Sequence, residues 1–127
     1  MVDIEKVFPE SATVAGPYSP GVKVGNLVFI SGQGPAQGTV EIEDQTQTAL
    51  EKIKEIIETA GSCISNIVKI TVFMKNIKDF AKMNRKYKEF FEKNGVIETF
   101  PARSTVEVSN FPVPEMLIEI DAIAIIK

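Results

Sequence analysis

Residues 116–126, MLIEIDAIAII, constrain the fold more than any other stretch of the chain. Ile118, Ile120, Ala122, Ala124 and Ile126 recur at every second position, the period of a strand that lays one face on a core. The intervening set is mixed: Leu117, Glu119, Asp121, Ile123 and Ile125. Two carboxylates within so apolar a strand cannot lie unpaired in a closed core. The strand therefore has one ordinary core face and a second face whose cover and charges need explaining.

The remaining elements supply cover for only one of those faces. GVKVGNLVFISG gives two β-runs, Val22–Val24 and Leu27–Ile30, around Gly25-Asn26, a hairpin signal. A Gly/Pro-rich loop, SGQGPAQG, follows. Apolar residues at 42, 49, 50, 53, 56, 57 and 60 then trace a helical stripe that stops at Gly61. NIVKITVFMK reads as a central strand, with Val68, Ile70, Val72 and Met74 opposing Ile67, Lys69, Thr71 and Phe73. A second helix is predicted from Lys78 to about Asn94, with Phe80, Ala81, Tyr87 and Phe91 on its apolar side. RSTVEVSN gives a strand with Val106 and Val108 opposite Thr105 and Glu107, and FPVPE is too rich in proline to continue it.

The predicted order is ββαβαββ, an α+β arrangement. Each helix has one apolar stripe, so the two together cover one face of the sheet. Ile67, Phe73, Leu117, Ile123 and Ile125 would then form a larger apolar patch than a soluble monomer exposes. A symmetric homo-oligomer with sheets packed face to face is the economical solution.

With 127 residues, no repeat and no low-complexity linker, the chain reads as a single domain over 1–127. It contains no histidine, which removes a Ser–His–Asp nucleophile and imidazole-based metal sites. Cys63 is alone, so no internal disulfide forms and a reducing compartment is expected. It has no activating neighbour and reads as a small free side chain. The first residues, MVDIEKVFPE, lack an apolar signal region, and no apolar run reaches the roughly 20 residues needed to span a bilayer. The expectation is a soluble, cytoplasmic protein with no membrane partner.

Of 14 lysines and arginines, only Arg85 and Arg103 are arginines. Arg103, in FPARST, is fixed between Pro101 and the start of a strand. A guanidinium grips a carboxylate through two parallel hydrogen bonds, which a lysine cannot do. That carboxylate belongs either to a ligand or to the protein itself, at Glu107 or Glu119. Glu119 is open to two readings as well. Partial burial would raise its pKa into a range suited to general acid–base work; alternatively it pairs with Lys69 or Arg103 across an interface. Tyr18, in GPYSPG, either closes over a ligand or packs within its loop. Gly32 and Gly34 in SGQGP permit close backbone approach, but the Gly-Lys-Ser/Thr ending of a phosphate loop is missing. Lys75, Lys78, Lys82, Arg85 and Lys86 make a basic stripe, while Glu43, Asp44, Glu51, Glu55 and Glu58 make the first helix acidic outside. These read as complementary solvated faces rather than as a nucleic-acid surface.

Five segments together resemble the RidA (YjgF) family essentially end to end. They are GPYSPG (16–21), FISGQGP (29–35), NIVKITVFMKNIKDFAKMN (66–84), FPARSTVEV (100–108) and IEIDAIA (118–124). The resemblance implies a chorismate-mutase-like fold: a mixed six-stranded sheet with two helices on one face, assembled as a homotrimeric barrel with clefts between subunits. It implies hydrolytic deamination of reactive 2-imino and enamine acids, such as 2-aminoacrylate and 2-aminocrotonate, to 2-keto acids and ammonia, without cofactor or metal. On that resemblance Arg103 clamps the substrate carboxylate and Glu119 steers the attacking water. Tyr18 is the cleft aromatic, and Gly32 and Thr105 offer backbone groups to the ligand. Thr105 stands where the subgroup often has cysteine, so a thiol-dependent role is impossible here; Pro20 stands where glutamine is common. Two other functions remain beside this one: a non-catalytic carboxylate-binding regulatory module, and a ribonuclease or translation inhibitor acting on single-stranded RNA.

Overall fold

A computed structural model describes residues 2–127 of the chain. Its strands are β1 (Ile4–Val7), β2 (Gly21–Val24), β3 (Leu27–Gln33), β4 (Ile67–Met74), β5 (Ala102–Glu107) and β6 (Ile118–Ile125). Its helices are α1 (Ile42–Thr59) and α2 (Phe80–Lys93). The six strands form one sheet in the order β1-β2-β3-β6-β4-β5. Only β4 and β5 pair in parallel; every other neighbouring pair is antiparallel. The order along the chain is therefore βββαβαββ, one strand more than the ββαβαββ read from the sequence. The additional strand, β1, pairs with β2 alone at the sheet edge, and three of its four residues are exposed. An edge strand in water needs no alternating pattern, so it leaves none in the sequence.

The β2–β3 hairpin turns at Gly25-Asn26, with the positive φ (59°) at Gly25. Both helices stop as the glycines predict. Gly61 and Gly95 each have φ 87°, and Ser62 N–H and Val96 N–H reach back to the Ile57 and Phe91 carbonyls at 2.9 Å, the hydrogen-bond pattern of a Schellman cap.

The core lies between the sheet and the two helices. Ile118, Ile120, Ala122 and Ala124 of β6 meet Leu50, Ile53 and Ile57 of α1 and Phe91 of α2 within a single buried cluster. The buried stripe of α2 is Met83, Tyr87, Phe90 and Phe91. Phe80 and Ala81, expected on that stripe, are exposed. Gln45 is a polar member of the interior at 1% exposure. Its amide nitrogen donates to the Thr39 and Glu115 carbonyls at 3.0 Å, and its oxygen accepts from Leu117 N–H at 2.7 Å. Gln45 thus ties the start of α1 to the entry of β6 with every polar atom occupied.

The opposite face of the sheet carries no helix. Phe29, Val68 and Val106 are 41%, 44% and 43% exposed there, and Leu27, Phe73, Ile123 and Ile125 are only partly covered. Val68 corrects the predicted alternation. The pairing slips between Ile67 and Lys69, so Ile67 turns inward to 5% exposure and Val68 turns out. A bulge of one residue reverses the parity of whatever precedes it. Among the described residues no ion pair joins α1 to α2. The two ion pairs present, Lys86–Glu89 and Lys93–Glu89, lie within α2, so the predicted complementarity of the helix faces does not extend to direct pairing. No helix among the described residues is long and apolar enough to cross a membrane.

Candidate functional site

The sheet register divides the sequence-derived candidates between its two faces. In the β4–β5 pairing Ile70 stands opposite Arg103 and Val72 opposite Thr105. Ile70 and Val72 are fully buried under the helices, so Arg103 and Thr105 point to the helix side. In the β4–β6 pairing Phe73 stands opposite Glu119 and Thr71 opposite Asp121, which puts both carboxylates on the bare side. Thr105 and Glu107 thus share the helix side while Val106 faces out from the bare side. This follows from β5 being the outermost strand, where the helix side is a rim rather than a core.

At that rim the Arg103 guanidinium carbon lies 4.7 Å from the centre of the Tyr87 ring and 5.6 Å from that of Phe80. Both distances lie within the range of a cation–π contact. Arg103, Asn84, Tyr87, Lys88, Phe100 and Pro101 line an open cleft of about 390 Å³. Among the described residues Arg103 forms no ion pair. The protein partners considered for it are otherwise placed: Glu107 accepts from Ile77 N–H at 2.8 Å, and Glu119 is on the other face. Tyr87 is buried to 4% exposure and its hydroxyl has no hydrogen-bond partner. Burial pushes that phenol up to about 12, against the pull of the neighbouring Arg103 charge.

On the bare side Glu119 is half-buried. Burial raises its pKa above the ordinary carboxylate value, and the nearby Asp121 charge raises it further. Burial raises Asp121 too, opposed by hydrogen bonding from Thr71 and by the Lys69 charge. Within the chain the Lys69 ammonium does not reach Glu119 but donates to Ser104 Oγ at 2.8 Å and to the Ile70 carbonyl at 3.2 Å. Gly32 is packed against Glu119: a Cβ there would stand 2.7 Å from Glu119 Cδ and Oε2. Tyr18 and Gly32 also line a second cavity of about 270 Å³, with Gln33 and Gly34 from the β3 end and Lys52 and Glu55 from α1. Tyr18 is 48% exposed.

Gly32 thus lies against Glu119 and shares a cavity with Tyr18 that Glu119 does not line, while Arg103 and Thr105 stand on the other face from Glu119. Cys63 is free and exposed, with its sulfur 3.1 Å from Ser65 Oγ. Among the described residues no cluster of three His, Cys, Asp or Glu side chains could hold a metal ion.

The model of the family described as Endoribonuclease L-PSP matches residues 9–126. The chain belongs to this family, the RidA/YjgF family. A RutC family protein of Pyrococcus horikoshii is 46% identical to it, over 94% of this chain and 96% of that one. The protein of Escherichia coli K12 named 2-iminobutanoate/2-iminopropanoate deaminase is 43% identical over 94% and 95% of the two chains. Two E. coli crystal structures superpose on this RidA-family fold. That of the YjgF gene product has a TM-score of 0.90 at 39% identity, covering 97% and 99% of the two chains. That of TdcF with bound serine has a TM-score of 0.87 at 37% identity, covering 96% and 100%.

Asn84, Tyr87 and Phe80 are the residues beside Arg103 to which the sequence assigned no part in a site. Tyr87 was placed on the apolar stripe of α2, which is where its ring lies. Nothing in the spacing signals that its outer side would carry Arg103, because the partner is sixteen residues away across a loop.

Proposed function

We propose that this chain hydrolyses reactive 2-imino acids to 2-keto acids and ammonia, in clefts shared between the subunits of a homotrimer. The observation that carries the reading is Arg103: a guanidinium at an open cleft, stacked on aromatic rings, with no protein carboxylate on it. A small carboxylate is the natural occupant. Family membership, the deaminase name of the E. coli relative and the serine bound to TdcF support the same ligand chemistry.

In this reading one subunit presents Arg103 and Thr105, and another presents Glu119, Gly32 and Tyr18. Arg103 fixes the substrate carboxylate through two hydrogen bonds and so orients C2. Glu119, its pKa raised by burial, takes a proton from a water whose oxygen bonds to C2. It passes that proton to the imine nitrogen, giving a carbinolamine; as the C–N bond then breaks, the same carboxylate takes the hydroxyl proton and delivers it to the departing ammonia, while the C2 oxygen becomes the keto oxygen. One water is consumed, and the products are the 2-keto acid and ammonia. The imine is already electrophilic, so orientation and one proton carrier are sufficient chemistry. The bare, partly apolar sheet face supports self-association, and the trimeric barrel is the assembly proposed for it.

The test is a coupled assay in which a serine or threonine dehydratase generates the imine. The protein accelerates keto-acid release, and Arg103→Ala abolishes the acceleration without changing the oligomer. Full activity in Arg103→Ala would overturn the reading. The family description favours a second one, endoribonuclease action, for which the α2 lysines would be the contact surface. Cleavage of single-stranded RNA that weakens steeply with salt would establish it; no binding at low salt would dismiss it.

A further inference from the structure

Resting on the reading of Arg103 as the carboxylate clamp, we propose that Tyr87 is a positioning residue for that clamp, its ring fixing the plane and reach of the guanidinium so that the N–H edge stays free for the ligand. An arginine side chain has several freely turning bonds, and a clamp works only when held close to one geometry. Proteins often achieve this with a carboxylate placed on the guanidinium. Such a partner would occupy the N–H edge that a ligand needs. Here the guanidinium carbon lies over an aromatic ring instead, 4.7 Å from the centre of Tyr87 and 5.6 Å from that of Phe80. A ring holds the cation through its π face and sets no carboxylate against the N–H groups.

The ring is itself immobile. Tyr87 is 4% exposed, its centroid is 4.6 Å from that of Phe91, and Phe91 in turn lies 6.2 Å from Phe100. Phe100 belongs to the segment that leads into β5, so this aromatic chain links α2 to the strand carrying Arg103. The Tyr87 hydroxyl is buried without a partner, and its burial keeps it neutral. It therefore presents no anion to compete with a ligand carboxylate for the guanidinium.

The test compares Tyr87→Leu, Tyr87→Phe and Phe80→Leu, each in the native and in the Arg103→Lys background, with KM and kcat read separately. Tyr87→Leu raises KM about tenfold, between an exposed and a fully desolvated cation–π contact, with kcat little changed. Tyr87→Phe keeps the ring and restores the native KM, and Phe80→Leu, a surface change, raises KM about threefold. In the Arg103→Lys background Tyr87→Leu adds less than about twofold, because the flat stack is already lost. An unchanged KM in Tyr87→Leu, or the same factor in both backgrounds, overturns the proposal. A readout independent of turnover is the NMR signal of the Arg103 Nε–H. It carries a ring-current shift in the native protein and in Tyr87→Phe. If the shift is absent from the native protein, or survives removal of the Tyr87 ring, the stack is not what holds the guanidinium. That result stands whether or not the native protein shows deaminase activity, so failure of the deaminase reading and failure of this one are separable.

Discussion

Gly32 and Glu119 are in direct contact across the sheet: a Cβ on residue 32 would stand 2.7 Å from the carboxyl carbon of Glu119 and 3.0 Å from its Cγ. The atoms that would have to move are the free end of a flexible side chain, not backbone. Gly32→Ala is therefore expected to cost little stability, within about 1 kcal/mol, while displacing the carboxyl proposed to steer water. Urea unfolding close to native, together with kcat reduced at least about tenfold, is the expected pair of results.

The pH dependence of stability follows from the raised pKa of Glu119. Burial and the Asp121 charge favour its protonated form in the folded chain, so the fold binds more protons than the unfolded chain over the window above the ordinary carboxylate value of about 4. Its contribution is most favourable below that value and is lost as pH rises through the raised one. Glu119→Gln removes this loss. Its melting temperature is expected to exceed that of the native protein at pH 7 and to match it near pH 4, as thermal scans at the two pH values would show. In the deaminase reading kcat/KM falls on the acid side as Glu119 becomes protonated, and Glu119→Gln lacks turnover at every pH.

Phe29 and Ile123 are paired on the bare face, and Phe29 is 41% exposed in the single chain. If that face packs against other copies, a charge there is intolerable within the assembly but harmless in water. Phe29→Asp is expected to yield a folded monomer by analytical ultracentrifugation, with native helix content by circular dichroism and no turnover.

Gln45 makes three hydrogen bonds from inside the core. Gln45→Leu keeps the volume but leaves the Leu117 N–H and two carbonyls without partners, so a loss of about 2 kcal/mol is expected in chemical unfolding. Activity should follow stability here, since Gln45 touches none of the candidate site residues.

The fold was legible wherever burial imposes a period. β6 shows its alternation because one side meets the helices, and α1 shows its stripe for the same reason. β1 escaped notice because it is solvated on nearly every side. The bulge at Val68 escaped because a parity change is invisible until the partner strand is known. For the site, the residue types were informative: one of only two arginines after a proline, and a carboxylate in an apolar strand. Their division between opposite faces was not, since it depends on the parallel register of β5 against β4. Neither was the Tyr87–Arg103 stack, which joins a helix to a strand across an intervening loop.

In the proposed trimeric deaminase, the placement of Arg103 and Glu119 on opposite sides of one sheet would have a genetic consequence. Two defective alleles, one lacking the guanidinium and one lacking the carboxyl, can rescue each other when their products co-assemble. In a ring of three, any mixed assembly contains one junction where an intact Arg103 meets an intact Glu119. Random mixing of Arg103→Ala and Glu119→Gln subunits in equal amounts should then recover about a quarter of the native rate, from two parents that are each inert.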